Sequence, residues 1–444
     1  MKNDNIFLYF ISTSVFMLKI TKETSISDLE RWIVMDDHEF ELEVLESFKY
    51  DPGFLIALIQ FFLTKLRLSS MVSVKTNIER ADFSKVLTRP YDFNHLATPL
   101  LFSDDFTIRD KDNKEVSRGD LIKVFQRSLK IQEYLYSQDF NREILGATEF
   151  KKAELEHFRK RFFSTKSPSK IENGVSFLVG CFDHLEEYDL HKNYYLYSGE
   201  YVRYSKGIAS WLSRLFKFGG FSISKELNLN SLIDDLSVVI HELFQNTEEW
   251  GKTNFNNTQF YSPNFRAVLI NLFLDQNLNK ETSGYEPVVN TYLFNLLKSN
   301  PGELKTPNKQ GALFEGNLWG VCEVSVFDTG PGMARRWTGK DFDQLSEGQE
   351  IDSTIKCFNK YITSDTSGRR HVRGRGLSRV ISIISGTGLI RVRTGNICIY
   401  RDFFQRPLKA CEVEGNGIKF NSLEALQRQE GTSITILYPF IYSR

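Results

Sequence analysis

Four short signals in the second half of this 444-residue chain hold residue types that can do chemistry together. In His241-Glu242-Leu243-Phe244-Gln245-Asn246, Glu242 and Asn246 stand four apart, so on a helix both project from one face. A carboxylate there can polarise an attacking water, and an amide oxygen is a hard ligand suited to Mg²⁺. A merely solvated polar helix face is the competing reading. Asp328-Thr329-Gly330-Pro331-Gly332 places a carboxylate at the end of an apolar run. That carboxylate can accept a hydrogen bond from a purine amine, while Gly330 and Gly332 let the backbone come close to the ring. The same pentapeptide is also good turn chemistry.

Gly374-Arg375-Gly376-Leu377 reads as a glycine turn feeding a helix, whose free N–H groups and positive dipole end suit phosphate oxygens. The run Arg369–Arg375, with Arg373 and Arg375 flanking Gly374, adds positive charge. A solvated basic loop and a nucleic-acid patch are the alternatives, although no aromatic residue interrupts the run. Gly431-Thr432 opens the last apolar stretch, where the Thr432 hydroxyl could hold Asp328 or a water.

These residues need elements to carry them. Leu232, Leu236, Val239, Ile240 and Leu243 recur at helical spacing, with Asn230 or Ser231 able to cap the start. Arg266–Leu274 and Val321–Asp328 read as strands, separated by a surface insertion over 276–320. Leu377, Val380, Ile381 and Ile384 form a second helical stripe, stopped by Gly386 and Gly388. Leu389–Thr394 and Asn396–Asp402 predict a hairpin, and Thr432–Phe440 a final strand. The order predicts an α/β layer rather than βαβ repetition.

Upstream, residues 1–165 read as a mixed, mostly helical N-terminal domain: Leu42-Leu45-Phe48 and Leu121-Val124-Phe125-Leu129 carry helical spacing. Residues 166–225 read as a linker and connecting segment, with a buried strand at Val175–Cys181 and an amphipathic helix at Lys206–Phe218. Ile6–Leu18 is apolar but too short to span a bilayer and lacks a cleavage site, so it reads as a buried strand or core helix. Leu55–Leu63 reads the same way.

Bulk composition bounds the rest. Hydrophobic residues at 41% and charged residues at 25% describe a globular chain with real cores, and 37 phenylalanines imply aromatic packing. Lys+Arg and Asp+Glu balance at 56 each, which gives no global argument for a nucleic-acid or membrane partner. Five scattered cysteines without CxxC spacing fit a reduced, cytoplasmic compartment rather than a disulfide framework or zinc site.

Taken together and in order, Glu-x-x-x-Asn, Asp-x-Gly-x-Gly, Gly-x-Gly-Leu and Gly-Thr resemble the GHKL (Bergerat-fold) ATPases. That superfamily includes gyrase, the large heat-shock chaperones, histidine kinases and MutL mismatch-repair proteins. The resemblance covers residues 226–444 and implies a two-layer α/β sandwich that binds ATP and Mg²⁺. By that likeness Glu242 is the catalytic carboxylate, Asn246 the Mg²⁺ ligand, and Asp328, with Gly330 and Gly332, the adenine contact. Arg373, Gly374, Arg375, Gly376 and Leu377 match the phosphate end, Thr432 matches the adenine side, and 333–373 would be a mobile ATP lid. Thr247 and Ser378 depart from the family by standing where smaller residues are common.

The chain reaches Arg444 soon after Gly431, which leaves no room for the transducer domain of gyrase or MutL. The expectation is therefore a Mg-ATP-binding protein, a slow ATPase whose lid closure switches the N-terminal half or a protein partner. Two alternatives stay open: a protein kinase acting on a partner, and a nucleotide-gated interaction module with little turnover. For a histidine kinase the best phospho-acceptor is His157, but its neighbours lack the usual proline. The reading includes no membrane span and leaves a homodimer open.

Overall fold

Phe54–Leu63 is apolar on every side except for Gln60, and a helix of that kind must be covered all round. In a computed structural model of the chain it is. The structure describes residues 16–21, 23–34, 38–42, 51–68, 71–79, 96–137, 175–218, 229–274, 286–298, 318–359, 376–409, 412, 417–423 and 426–442. The first half contains β1 (Phe16–Ile20), α1 (Ile26–Trp32), β2 (His38–Leu42), α2 (Phe54–Arg67), β3 (Val72–Thr76), α3 (Ala97–Phe102), β4 (Phe106–Arg109) and α4 (Arg118–Ser137). The second half runs β5 (Val175–Phe182), β6 (Tyr197–Ser198), β7 (Tyr201–Val202), α5 (Ser205–Phe218), α6 (Leu229–Trp250), β8 (Phe265–Leu274), α7 (Pro287–Lys298) and β9 (Leu318–Asp328). It closes with α8 (Met333–Thr338), α9 (Glu347–Lys356), α10 (Gly376–Ile384), β10 (Leu389–Gly395), β11 (Ile397–Asp402), β12 (Asn421–Leu423) and β13 (Gln429–Tyr442).

The protein is mixed α/β. Among the described residues, β1-β2-β3-β4 form a parallel sheet and β12-β11-β10-β13-β9-β8-β5 an antiparallel one, with β6-β7 a small hairpin. Every residue of α2 from Phe54 to Leu66 is buried. On one side Phe61 and Phe62 meet Phe40 edge-on at 5.4 and 6.0 Å, and Phe62 meets Phe106 at 5.3 Å. On the other side the same core takes in Phe265, Ala267, Leu269 and Phe327 of the antiparallel sheet. Thus α2 lies between the two sheets and belongs to both cores. Burying each large side chain stabilises by about 1.5–3 kcal/mol, so this layer is where the halves cohere.

The opposite face of the antiparallel sheet presents Val268, Ile270, Val324, Val326, Val392, Ile434 and Ile436 to α5, α6 and α10. Strand alternation dictates the split, because odd and even positions of β8 and β9 point to different faces. Among the described residues, no helix is long and apolar enough to cross a membrane.

The structure sharpens the organisation expected from the sequence. The mostly helical N-terminal half is organised by a parallel sheet, whose four- and five-residue strands are too short to show periodicity beside longer helices. Within segment 166–225 the expected strand at Val175–Cys181 forms as Val175–Phe182, an edge strand of the antiparallel sheet among the described residues. In the same segment Trp211, Leu212 and Phe216 of α5 cover that sheet's core. The 276–320 insertion contains α7, whose Val289, Tyr292 and Leu293 bury against Val321, Leu389 and Leu437, so part of it is core. Of Ile6–Leu18, only the end enters a described element, β1, while Leu55–Leu63 is helical.

Charged groups cross the same interface. Arg393 of β10, 1% exposed in its side chain, forms a two-pronged pair with Glu30 of α1 at 2.8 Å for each bond. Removing one partner of a buried pair strands the other. Glu30→Ala should therefore destabilise the protein by about 3–5 kcal/mol in chemical denaturation. Arg31→Ala, which breaks the exposed Arg31–Asp28 pair, should change stability by less than about 1 kcal/mol.

Candidate functional site

Helix α6 buries Leu236, Val239, Ile240, Leu243 and Phe244 against the antiparallel sheet, and this fixes the direction of its other face. Glu242 and Asn246 on that other face meet the start of α10. A β-carbon built on Gly376 would lie 2.9 Å from Glu242 Oε2 and 3.8 Å from Asn246 Nδ2. The first turn of α10 therefore sits directly beside both polar side chains. Glu242 Oε1 accepts a hydrogen bond from Arg379 Nη1 of α10 at 3.1 Å. Asn246 Nδ2 is buried without a hydrogen-bond partner. Leu377 packs, partly buried, against the helix-side core.

The second cluster forms where three strands end. Asp328, the last residue of β9, is the cross-strand partner of Arg266 in β8 and of Thr432 in β13. Its Oδ1 accepts the Gly330 N–H at 2.9 Å. Gly251, just past α6, sits so close that a β-carbon there would be 3.0 Å from Asp328 Cβ. Gly431 has φ +79°, and a β-carbon on it would fall 1.9 Å from the Asp328 carbonyl oxygen, so no other residue fits. Gly332 caps α8. Thr432 does not hold Asp328: its Oγ1 lies 3.3 Å from Thr394 Oγ1, which accepts the Met333 N–H at 3.1 Å. Burial pushes the Asp328 carboxyl up to about 7, against the opposing pull of the Gly330 N–H and the Arg266 charge.

Helix α6 links the two clusters. Glu242 and Trp250 are eight residues apart, about 12 Å along the axis at 1.5 Å per residue. One cluster offers a buried acceptor between close-set backbones, and the other offers a helix N-terminus, a carboxylate and an unsatisfied amide. Among the described residues, no group of three His, Cys, Asp or Glu side chains could hold a metal. A divalent ion beside Asn246 would thus need most of its oxygen ligands from a bound molecule and water, which is how Mg²⁺ is commonly held. Arg373, Gly374, Arg375 and His157 lie outside the described residues.

The stretch 333–373, read as one mobile lid, begins as packed structure. Glu350 of α9 accepts hydrogen bonds from the Asn396 backbone N–H at 3.1 Å and from its Nδ2 at 3.0 Å. Phe358 is fully buried in the helix-side core. These contacts tie 333–359 to the β10–β11 hairpin, and the remainder, 360–373, lies outside the described residues.

Beside Asp328 the sequence reading missed a buried charge cluster. Arg266, wholly buried, donates to Asp183 Oδ2 at 2.7 Å and Oδ1 at 2.6 Å, to Glu248 Oε2 at 2.6 Å, and to the Tyr197 hydroxyl at 2.8 Å. An arginine inside the apolar run Phe265–Leu274 was the available signal, since a charge there must find partners. Comparison with protein-family models, curated proteins and solved structures finds no match to the chain.

The Asp328 shift has a definite sign. A carboxyl raised from 3.8 to about 7 stabilises the fold fully below about pH 4, and that contribution is lost as pH rises through about 7. Relative to Asp328→Asn, which does not titrate, the wild type should lose up to about 4 kcal/mol between pH 4 and pH 8. Denaturant titrations of both proteins across that range would show it, and a flat difference would contradict it.

Proposed function

We propose that this protein binds Mg-ATP in a GHKL-type (Bergerat) pocket lying along α6 and hydrolyses it slowly. The observation that carries the reading is the convergence of four distant sequence signals on that helix. Asp328 and Thr432 stand near the Trp250 end, Asn246 about 6 Å back along the axis and Glu242, beside Gly376, about 12 Å back, on the scale of a base-to-phosphate span. The helices covering one face of an antiparallel sheet are consistent with the two-layer sandwich of that superfamily.

Each residue has a role within this reading. Asp328, as its carboxylate, accepts the hydrogen bond of an adenine amine, and Gly330 and Gly251 let the backbone close in around that carboxylate. The α10 N-terminus at Gly376 and Leu377 turns backbone donors and positive dipole towards phosphate oxygens. Asn246 would hold a magnesium ion through its Oδ1, where the ion would neutralise phosphate charge, and its unpartnered Nδ2 is a donor suited to a phosphate oxygen. Glu242 takes the proton of an attacking water. In the structure Glu242 is engaged by Arg379, whose side chain is 57% exposed, so the pair is weak and easily parted. Arg379 released from Glu242 is free to face phosphate.

Incubation of the full chain with γ-labelled ATP and Mg²⁺ should release free phosphate slowly and leave no stable phosphoprotein. Glu242→Gln should bind ATP within about twofold of wild type and lose hydrolysis by roughly a hundredfold or more. Undiminished turnover would remove Glu242 from its role, and label on protein would favour a kinase. Asp328→Asn should weaken ATP binding by at least about tenfold, and unchanged affinity would count against the pocket itself.

A further inference from the structure

The C-terminal end of α2 reaches the two strand ends that form the base-binding cluster. Arg67 Nη2 donates to the carbonyl of Pro263 and, at 3.3 Å, to that of Thr329, the residue directly after Asp328. The Thr329 peptide is held from the other side as well: its N–H donates to Phe265 O at 3.0 Å, and its hydroxyl accepts the Phe265 N–H at 2.8 Å. One turn earlier on α2, Thr64 Oγ1 accepts the Glu430 N–H at 3.2 Å, and a further turn back Gln60 Nε2 donates to the Glu430 carbonyl at 3.2 Å. Glu430 immediately precedes Gly431 and Thr432. A third link closes the group: the Arg67 guanidinium lies 4.2 Å above the Tyr261 ring, whose hydroxyl donates to Glu430 Oε2 at 2.9 Å.

We infer that Arg67, from the N-terminal half, is a positioning residue for the base-binding end of the nucleotide pocket, acting through the Thr329 peptide, with Gln60 and Thr64 doing the same for Thr432. The inference rests on the nucleotide reading above and extends it by adding a wall from the other half of the chain. Arg67 acts on the pocket through the backbone it holds. It holds the strand end at which Asp328 must meet a planar ligand edge-on. The three α2 side chains sit on the sheet face opposite α6, so they brace the pocket from behind. The phosphate end, built from α6 and α10, has none of these contacts. The effect of losing Arg67 is therefore confined to the base.

The test uses the full chain with ATP and with inorganic tripolyphosphate, which has no base, and Arg118→Ala as a control. Arg118 likewise donates to backbone carbonyls, of Leu100 at 2.9 Å and Leu101 at 3.1 Å, but away from the strand ends. Arg67→Ala should weaken ATP binding about tenfold, raise KM with kcat at saturation unchanged, and leave tripolyphosphate binding alone. Arg67→Lys should recover part of the loss. Arg118→Ala should lower thermal stability without moving ATP affinity. An Arg67→Ala protein that binds ATP like wild type, while Asp328→Asn does not, overturns the inference and leaves the nucleotide reading standing. Equal losses for ATP and tripolyphosphate also overturn it, since they mark a general effect on the fold. A wild type that binds neither overturns both.

Discussion

The register of β9 between β8 and β13 is the constraint on which the rest depends. It sets Asp328 beside Arg266 on one side and Thr432 on the other, and it sends all three side chains to the face that α6 covers. A slip of one residue would turn Asp328 towards α2 and bury Phe327 under α6, because strand side chains alternate faces. Pairing along eleven residues of β9 and β13, with apolar residues interdigitating on both faces, makes that slip prohibitive. The glycines matter after register is fixed. Gly431 and Gly251 record how closely neighbouring segments must pass once the strands and α6 are in place.

Buried charge surrounds this frame. Arg266 with Asp183 and Glu248, Arg393 with Glu30, and Arg391 with Glu286 are all ion pairs removed from water or nearly so. Such pairs need not add net stability, because desolvation opposes their attraction. They do make any misplacement of their elements expensive, since a displaced element leaves a charge without its partner. Two of the three sit on the face towards α2 and α7, and one sits beside Asp328. The side of the sheet bearing the candidate site and the side facing the first half are both held by directional contacts, not by apolar packing alone.

What the sequence made legible followed from local rules. The α6 stripe, the β10–β11 hairpin and the strands ending at Asp328 and beginning near Thr432 all announce themselves through period and turn residues. Glu242 and Asn246 could be grouped because helix spacing fixes where side chains point, whereas Gly376 joined them only through the resemblance of the motif order. Long-range pairing is what escaped. Arg266 meets Asp183 across 83 residues, and Arg67 meets Thr329 across 262, neither of which leaves a local trace. The parallel sheet escaped for a related reason, since β4 has only four residues and its partner β3 lies beyond a long connection. The fold of the second half was thus more readable than the way the first half attaches to it.

That attachment makes α2 a shared possession of two cores, with consequences for how the chain can be divided. A fragment starting at β5 would turn Phe265, Ala267, Leu269 and Phe327 from interior into surface, presenting an apolar face where water now has no access. A fragment ending at α4 would strip one side of α2 in the same way. Natural shuffling of either half onto another partner would need that partner to supply an equivalent helix in the same groove. The chain is thereby committed to inheriting its two sheets together, as a single unit of recombination.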